Sequence, residues 1–253
     1  SLEIREKALG PEHPDTATTL NNMAWLYDNQ GLYRKAQPLL RRGLEIEFML
    51  IQRESPYLLL SDRLPFLQSF GGAYQVPFYN LSLDSSWVKL ALFVRLNRQG
   101  LLEEIEKRQA QLTALPGPQQ EVANELRGLT QQLASMSLST EQRQNLRTRK
   151  EELEKQLYRL LPELQPRIVE VDQVAKAIPG EGVLVEFQRY EPFDRRKPDD
   201  QEWGDARYLA LVLKPNGEIS SVDLGLAQPI EEKVQQALRA SEERLADAQE
   251  LWN

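Results

Sequence analysis

The sequence has no cysteine and a single histidine in 253 residues. The missing cysteine removes thiol nucleophiles, disulfide frameworks and Cys/His zinc sites. The lone His13 would have to serve alone in any imidazole chemistry, so a Ser-His-Asp triad built around a second histidine is also excluded. Carboxylates and lysines can still act as general acids and bases, so enzymes as a class stay open. Long apolar runs are missing as well. Mean hydropathy is −0.53, and no stretch approaches the roughly 18–20 residues that cross a bilayer. No basic segment followed by an apolar stretch marks a secretory signal. Aromatics are sparse at 8%, while 13 Gly and 15 Pro are close to ordinary usage and argue against a low-complexity chain.

The net charge is −7, and it is uneven: residues 1–150 carry 18 Lys/Arg and 16 Asp/Glu, whereas residues 151–253 carry 13 and 22. An acidic second half repels phosphate backbones, so nucleic-acid binding is not expected as the main task. No cofactor, no metal and no membrane partner is expected, and the composition fits a cytoplasmic protein. The chain opens at Ser1 and closes at Leu251-Trp252-Asn253 inside helical patterns, which reads as a piece of a longer protein.

A repeat is visible near the start. Leu2-Glu3-Ile4 recurs as Leu44-Glu45-Ile46. Between them lies a connector dense in helix breakers, Gly10-Pro11-Glu12-His13-Pro14-Asp15, followed by Leu20, Met23, Ala24 and Tyr27 at i, i+3, i+4 and i+7. Gly31 interrupts, and a second helix places Tyr33, Ala36, Leu39, Leu40, Gly43 and Leu44 on its inner face, with Ala36 and Gly43 small enough for close helix approach. Residues 47–100 stay mostly helical but are cut by Ser55-Pro56, Pro65, Gly71-Gly72 and Pro77; Phe66, Phe70, Tyr74, Phe78 and Tyr79 are expected to cluster, and Asp84 or Ser85 to cap a helix ending near Arg98. Leu126, Leu129, Leu133 and Met136, then Leu146, Leu153, Leu157, Leu160 and Leu164, give two long helices with a narrow leucine seam, hence an antiparallel pair. Ser139 or Thr140 is expected to cap the second. Pairing within the chain is simpler than self-association through this seam.

After a short helix, Val171 to Ile178, the period changes. Residues 183–187, 208–213 and 219–224 read as strands, the middle one buried on both faces, with Lys214-Pro215-Asn216-Gly217 as a turn of the Asn-Gly kind. A final helix carries Ile230, Val234, Leu238 and Leu245.

Residues 11–46 resemble a tetratricopeptide (TPR) repeat position by position, and the string GPEHPDTATTLNNMAWLYDNQGLY is similar to the kinesin-light-chain type. Further repeats would then precede Ser1, because one repeat cannot bury its own apolar face. The run from Gly182 to Gly225, followed by a long acidic helix ending in LADAQELW, resembles the start of a CHAT domain, a caspase-like domain found behind TPR arrays in bacteria. The resemblance implies a cysteine-peptidase parent whose catalytic His and Cys lie in later strands; neither motif is present here, so no catalytic residue carries over. The expected fold is α+β, mostly α. It comprises the end of one repeat and one complete repeat at 1–46, a helical cap at 47–100, a long helical hairpin linker at 101–170, and at 171–253 a small antiparallel three-stranded sheet with a C-terminal helix.

The candidate binding residues are Thr18, Asn21, Trp25 and Asp28, spaced 3, 4, 3 on the face expected to be concave. Asn21 could pair with a peptide backbone, Trp25 offer a flat apolar contact, and Asp28 a charge. His13 is expected to start the helix that follows rather than to do chemistry. The carboxylates Asp194, Asp199, Asp200, Glu202 and Asp205 could bind a cation, but Arg195, Arg196 and Lys197 would neutralise them. The expected function is an interaction and regulatory segment. It recruits a protein or peptide on the TPR face and passes the effect through the helical middle to a peptidase domain. A purely structural scaffold and a carboxylate hydrolase built on the 191–205 loop are the alternatives.

Overall fold

The structure is a computed structural model, and it describes residues 2–58, 60–115, 117–133, 138–194, 197–198 and 201–242. In chain order the helices are α1 (Leu2–Leu9), α2 (Pro14–Asn29), α3 (Tyr33–Glu54), α4 (Leu60–Gln68), α5 (Val76–Asn80), α6 (Val88–Arg98), α7 (Leu101–Thr113), α8 (Gly117–Leu133), α9 (Thr140–Leu160) and α10 (Val171–Ala177), then strands β1 (Leu184–Tyr190), β2 (Arg207–Leu213) and β3 (Ile219–Leu226), and α11 (Ala227–Glu242). The mostly helical α+β composition matches the sequence reading. The chain divides into two units, Ser1–Ala73 with Asn97–Ile168 and Tyr74–Leu96 with Val169–Asn253. The stretch 47–100, read from sequence as one helical cap, therefore contributes to both.

In the first unit, helix ends are set by local chemistry. Gly10, at φ 97°, closes α1 in the left-handed conformation that favours glycine, its N–H reaching Glu6 O at 3.0 Å. Pro14 then opens α2, where its missing N–H is no loss. Helix α3 runs for 22 residues, well past the repeat. Its second half buries Ile46, Glu47, Phe48, Leu50, Ile51 and Gln52, that is, almost all sides, as a helix enclosed by neighbours must. Ala17, Leu20, Ile46 and Leu50 form one core cluster. Ile51, Leu101 and Ile105 form a second, with Phe66, Leu67 and Phe70 against it.

The leucine seam of α8 and α9 is present: Leu126, Leu129, Leu153, Leu157 and Leu164 are buried together. The same cluster takes in Tyr57 and Leu112, so the pair closes on α7 and the 3-10 turn Ser55–Tyr57 and is not a two-helix seam alone. Met136 and the side chain of Leu160 lie outside the described residues. Ser139 caps α9 in a reciprocal capping box with Gln142.

A buried ionic network holds this hairpin to the end of α3. Lys150 Nζ lies 2.7 Å from both Glu54 Oε2 and Glu154 Oε1, and Arg53 Nε lies 2.9 Å from Glu54 Oε1. Burial pushes the Glu54 carboxyl up, but Lys150 and Arg53 outweigh it and hold it below the usual range. Glu154 ends above that range, because burial wins there over the same lysine. Arg108 is also buried and donates to Leu164 O at 3.0 Å and Gln52 Oε1 at 3.2 Å.

In the second unit, Asp84 caps the 3-10 turn Ser85–Trp87 through Ser86 N–H at 2.7 Å, and α6 continues from it. Trp87 and, within α6, Leu90 to Val94 are buried, while Lys89 at the start of the helix reaches solvent. The sheet order is β1-β2-β3, antiparallel throughout, with Phe187 opposite Ala210 and Ala210 opposite Val222. Central β2 buries Leu209, Ala210, Leu211 and Leu213, which explains its unbroken apolar run. The β2–β3 connection is longer than the Asn-Gly signal suggests: Lys214 and Glu218 pair by backbone, and Gly217 sits at φ 84°. That is a three-residue loop ending in left-handed glycine. Leu245 of the expected final helix lies outside the described residues.

One expectation needs correction. The five aromatics of 66–79 do not form one cluster. Phe66 and Phe70 stack edge-on at 5.0 Å in the first unit, whereas Tyr79 meets Phe193 and Trp203 in the second. The turn at Gly71-Gly72 separates the two sets, and sequence proximity concealed it.

Candidate functional site

Helix α2 presents the four candidate binding residues in different ways. Trp25 is 59% exposed. Thr18 is also exposed, and its hydroxyl donates to Pro14 O at 3.1 Å within the helix. Asp28 is 1% exposed. It follows Leu20 and Ala24 at steps of four, and that spacing returns to the core face of a helix rather than to the open one. Asn21 stands at the border, four residues after Ala17 and three before Ala24, and is half-buried.

The Asn21 side chain crosses onto α3. Its Nδ2 donates to Glu47 Oε1 at 2.6 Å, and its Oδ1 is enclosed without a partner. Room for it comes from Gly43: a Cβ there would run into Asn21 Oδ1 and lie 3.3 Å from Ala17 O. The small residue that permits close helix approach thus also admits a polar side chain between the helices. Burial pushes the Glu47 carboxyl up to about 7, against the opposing pull of the Asn21 hydrogen bond and the Arg98 charge. This Asn21–Gly43–Glu47 arrangement was not anticipated from sequence. The available signal was a charged residue inside the apolar run Ile46-Glu47-Phe48.

His13 is the N-cap of α2, and its Nδ1 accepts from Asp15 N–H at 3.1 Å. Burial lowers its pKa in spite of the Asp15 carboxylate, a direction that favours the neutral ring. Thr16 Oγ1 donates to Gly10 O at 3.0 Å and completes the connector. Those bonds account for the string GPEHPDTA without any catalytic role.

This connector, the α2–α3 hairpin and the open Trp25 face together make a recognisable unit. A family model of the tetratricopeptide repeat matches residues 1–46. TPR units mediate contacts between proteins, and the matched family is not enzymatic. No curated protein and no solved structure matches the chain.

Of the carboxylate loop, Asp199, Asp200, Arg195 and Arg196 lie outside the described residues. Asp194 N–H bonds to Glu202 O at 2.8 Å, and Phe193 bridges to Trp203, so the base of the loop is a short ladder under an aromatic contact. Among the described residues, no group of three or more His, Asp or Glu converges as a metal site, and no helix is long and apolar enough to cross a membrane.

Proposed function

We propose that this chain is an interaction and regulatory segment whose TPR unit takes an extended protein segment on the open face of α2. The observation that carries the reading is Trp25, a large indole held in water on the helix that also bears Asn21. An indole left that exposed offers a partner substantial apolar area at little entropic cost. Exposed Thr18 supplies a polar contact on the same helix, whereas the Asn21 side chain is engaged with Glu47 and Asp28 is buried. The order of a kinesin-light-chain-type repeat, a leucine-seamed hairpin and a three-stranded antiparallel sheet followed by a helix supports a bacterial, cytoplasmic TPR-CHAT protein. In that setting the parent is a caspase-like peptidase and this chain contributes recruitment.

Selection of displayed peptides against the full chain tests the TPR reading. Peptides enriched on the wild-type protein should lose at least about tenfold in affinity on Trp25→Ala. Equal binding to both proteins would remove the α2 face from the account.

A further inference from the structure

The second unit contains a cleft that the TPR reading does not use. It is a cavity of about 140 Å³ lined by Tyr74, Gln75 and Phe78 on one side and Gln188 to Glu191 on the other. Its size is well below the roughly 300–1,000 Å³ of sites for drug-sized molecules and suits a single side chain. The second wall is the end of β1, and β1 is an edge strand. Its apolar side chains Val185 and Phe187 face solvent, Phe187 at 54% exposure. An edge strand whose outer backbone takes no main-chain partner among the described residues, with an exposed apolar row and a pocket at its end, has the components of strand addition: main-chain bonds for affinity and a pocket for specificity.

The charge around the cleft selects the occupant. Arg189 Nε meets Glu231 Oε1 at 3.1 Å, and its Nη1 lies 3.5 Å from Glu191 Oε1, so one guanidinium faces two carboxylates. Arg207 bonds to Tyr190 but is itself held by Asp223 at 2.7 Å. Negative charge is left in surplus, and the unit as a whole carries 12 Lys/Arg against 19 Asp/Glu. The rings of Tyr74, Phe78 and Tyr190 line the same space, and aromatic faces attract cations.

We propose that this cleft receives the lysine or arginine side chain of an extended protein segment that adds to the free edge of β1. The site lies in the second unit and is independent of the α2 face.

Calorimetric titration and amide NMR of the full chain test it with the blocked heptapeptide acetyl-Val-Thr-Val-Lys-Val-Thr-Val-amide. Binding should perturb the amides of residues 184–191. Replacing the peptide's lysine by norleucine should weaken binding about tenfold, as should Glu191→Gln on the protein. N-methylation of alternate peptide amides should abolish binding, and Trp25→Ala should leave it unchanged. The proposal is overturned if the heptapeptide does not bind at millimolar concentration, if norleucine or N-methylation changes nothing, or if the perturbed amides lie away from β1.

Discussion

The two units place their charges differently. The first unit, Ser1–Ala73 with Asn97–Ile168, holds 19 residues of each sign and is neutral. It brings several of them inside: Lys150 is 7% exposed and flanked by two carboxylates, and Arg108 and Glu47 are buried. The second unit carries the entire net charge of −7 and keeps most of the ion pairs among its described residues outside, although Arg95–Glu186 is largely enclosed. Lys89–Asp172 and Arg207–Asp223 are largely exposed, and apolar Val185, Phe187, Val222 and Leu224 stand in water beside them. Balanced charge can be buried when each member finds a partner, whereas surplus charge must stay hydrated and leaves apolar surface uncovered. Ionic interactions should therefore govern stability in the first unit and recognition in the second.

The sharpest test removes the central cation. Lys150→Met leaves Glu154 buried without its lysine and Glu54 with Arg53 alone, and should destabilise the first unit by about 3–5 kcal/mol. Urea unfolding reads this, while hydrogen exchange in β2 should not change. The triple variant Glu54→Gln, Lys150→Met, Glu154→Gln should recover most of the loss; failure to recover would mean that packing, not charge, dominates there.

Glu47 gives a pH-dependent effect. Its folded pKa of about 7 lies above the ordinary 4.5, so the native state holds a proton that the unfolded state releases. Its contribution is complete below about pH 4.5, declines as pH rises to about 7, and is level above that. Glu47→Gln should flatten this slope and raise stability at pH 8 by roughly 2–3 kcal/mol. A midpoint that falls equally with pH in both proteins would assign the slope to other groups.

Gly43→Ala should cost about 1–2 kcal/mol by forcing Asn21 away from Glu47. Asn21→Ala in the same chain should restore part of it, and additive losses in a double-mutant cycle would separate the two sites. The smallest effect belongs to the second unit. Lys89→Gln breaks an exposed pair and should change stability by less than about 1 kcal/mol.

Much of this was legible in the sequence where local rules dominate. The breaker-rich connector, the i, i+3, i+4, i+7 face of α2 and the cap at Ser139 each depend on residues within one turn of one another. The unbroken apolar run of β2 likewise announced a central strand. Long-range pairings were not legible. Glu54 and Lys150 are far apart in sequence, and nothing in either segment says that the other will neutralise it. Asp28 was misplaced for a smaller reason: its spacing from Trp25 suggested the open face, but its spacing from Leu20 and Ala24 decided. The cleft beside β1 was invisible because its two walls come from segments more than a hundred residues apart.

The repeat match stops at residue 46, but α3 does not. A shortened protein ending there would sever a helix in mid-course and strip away Glu47, the acceptor for Asn21. It would also uncover the core beneath Leu20, which Leu50 helps to cover. Where a repeat ends on paper and where it can be cut are thus different places, and the first safe cut lies beyond the anchoring of Glu54.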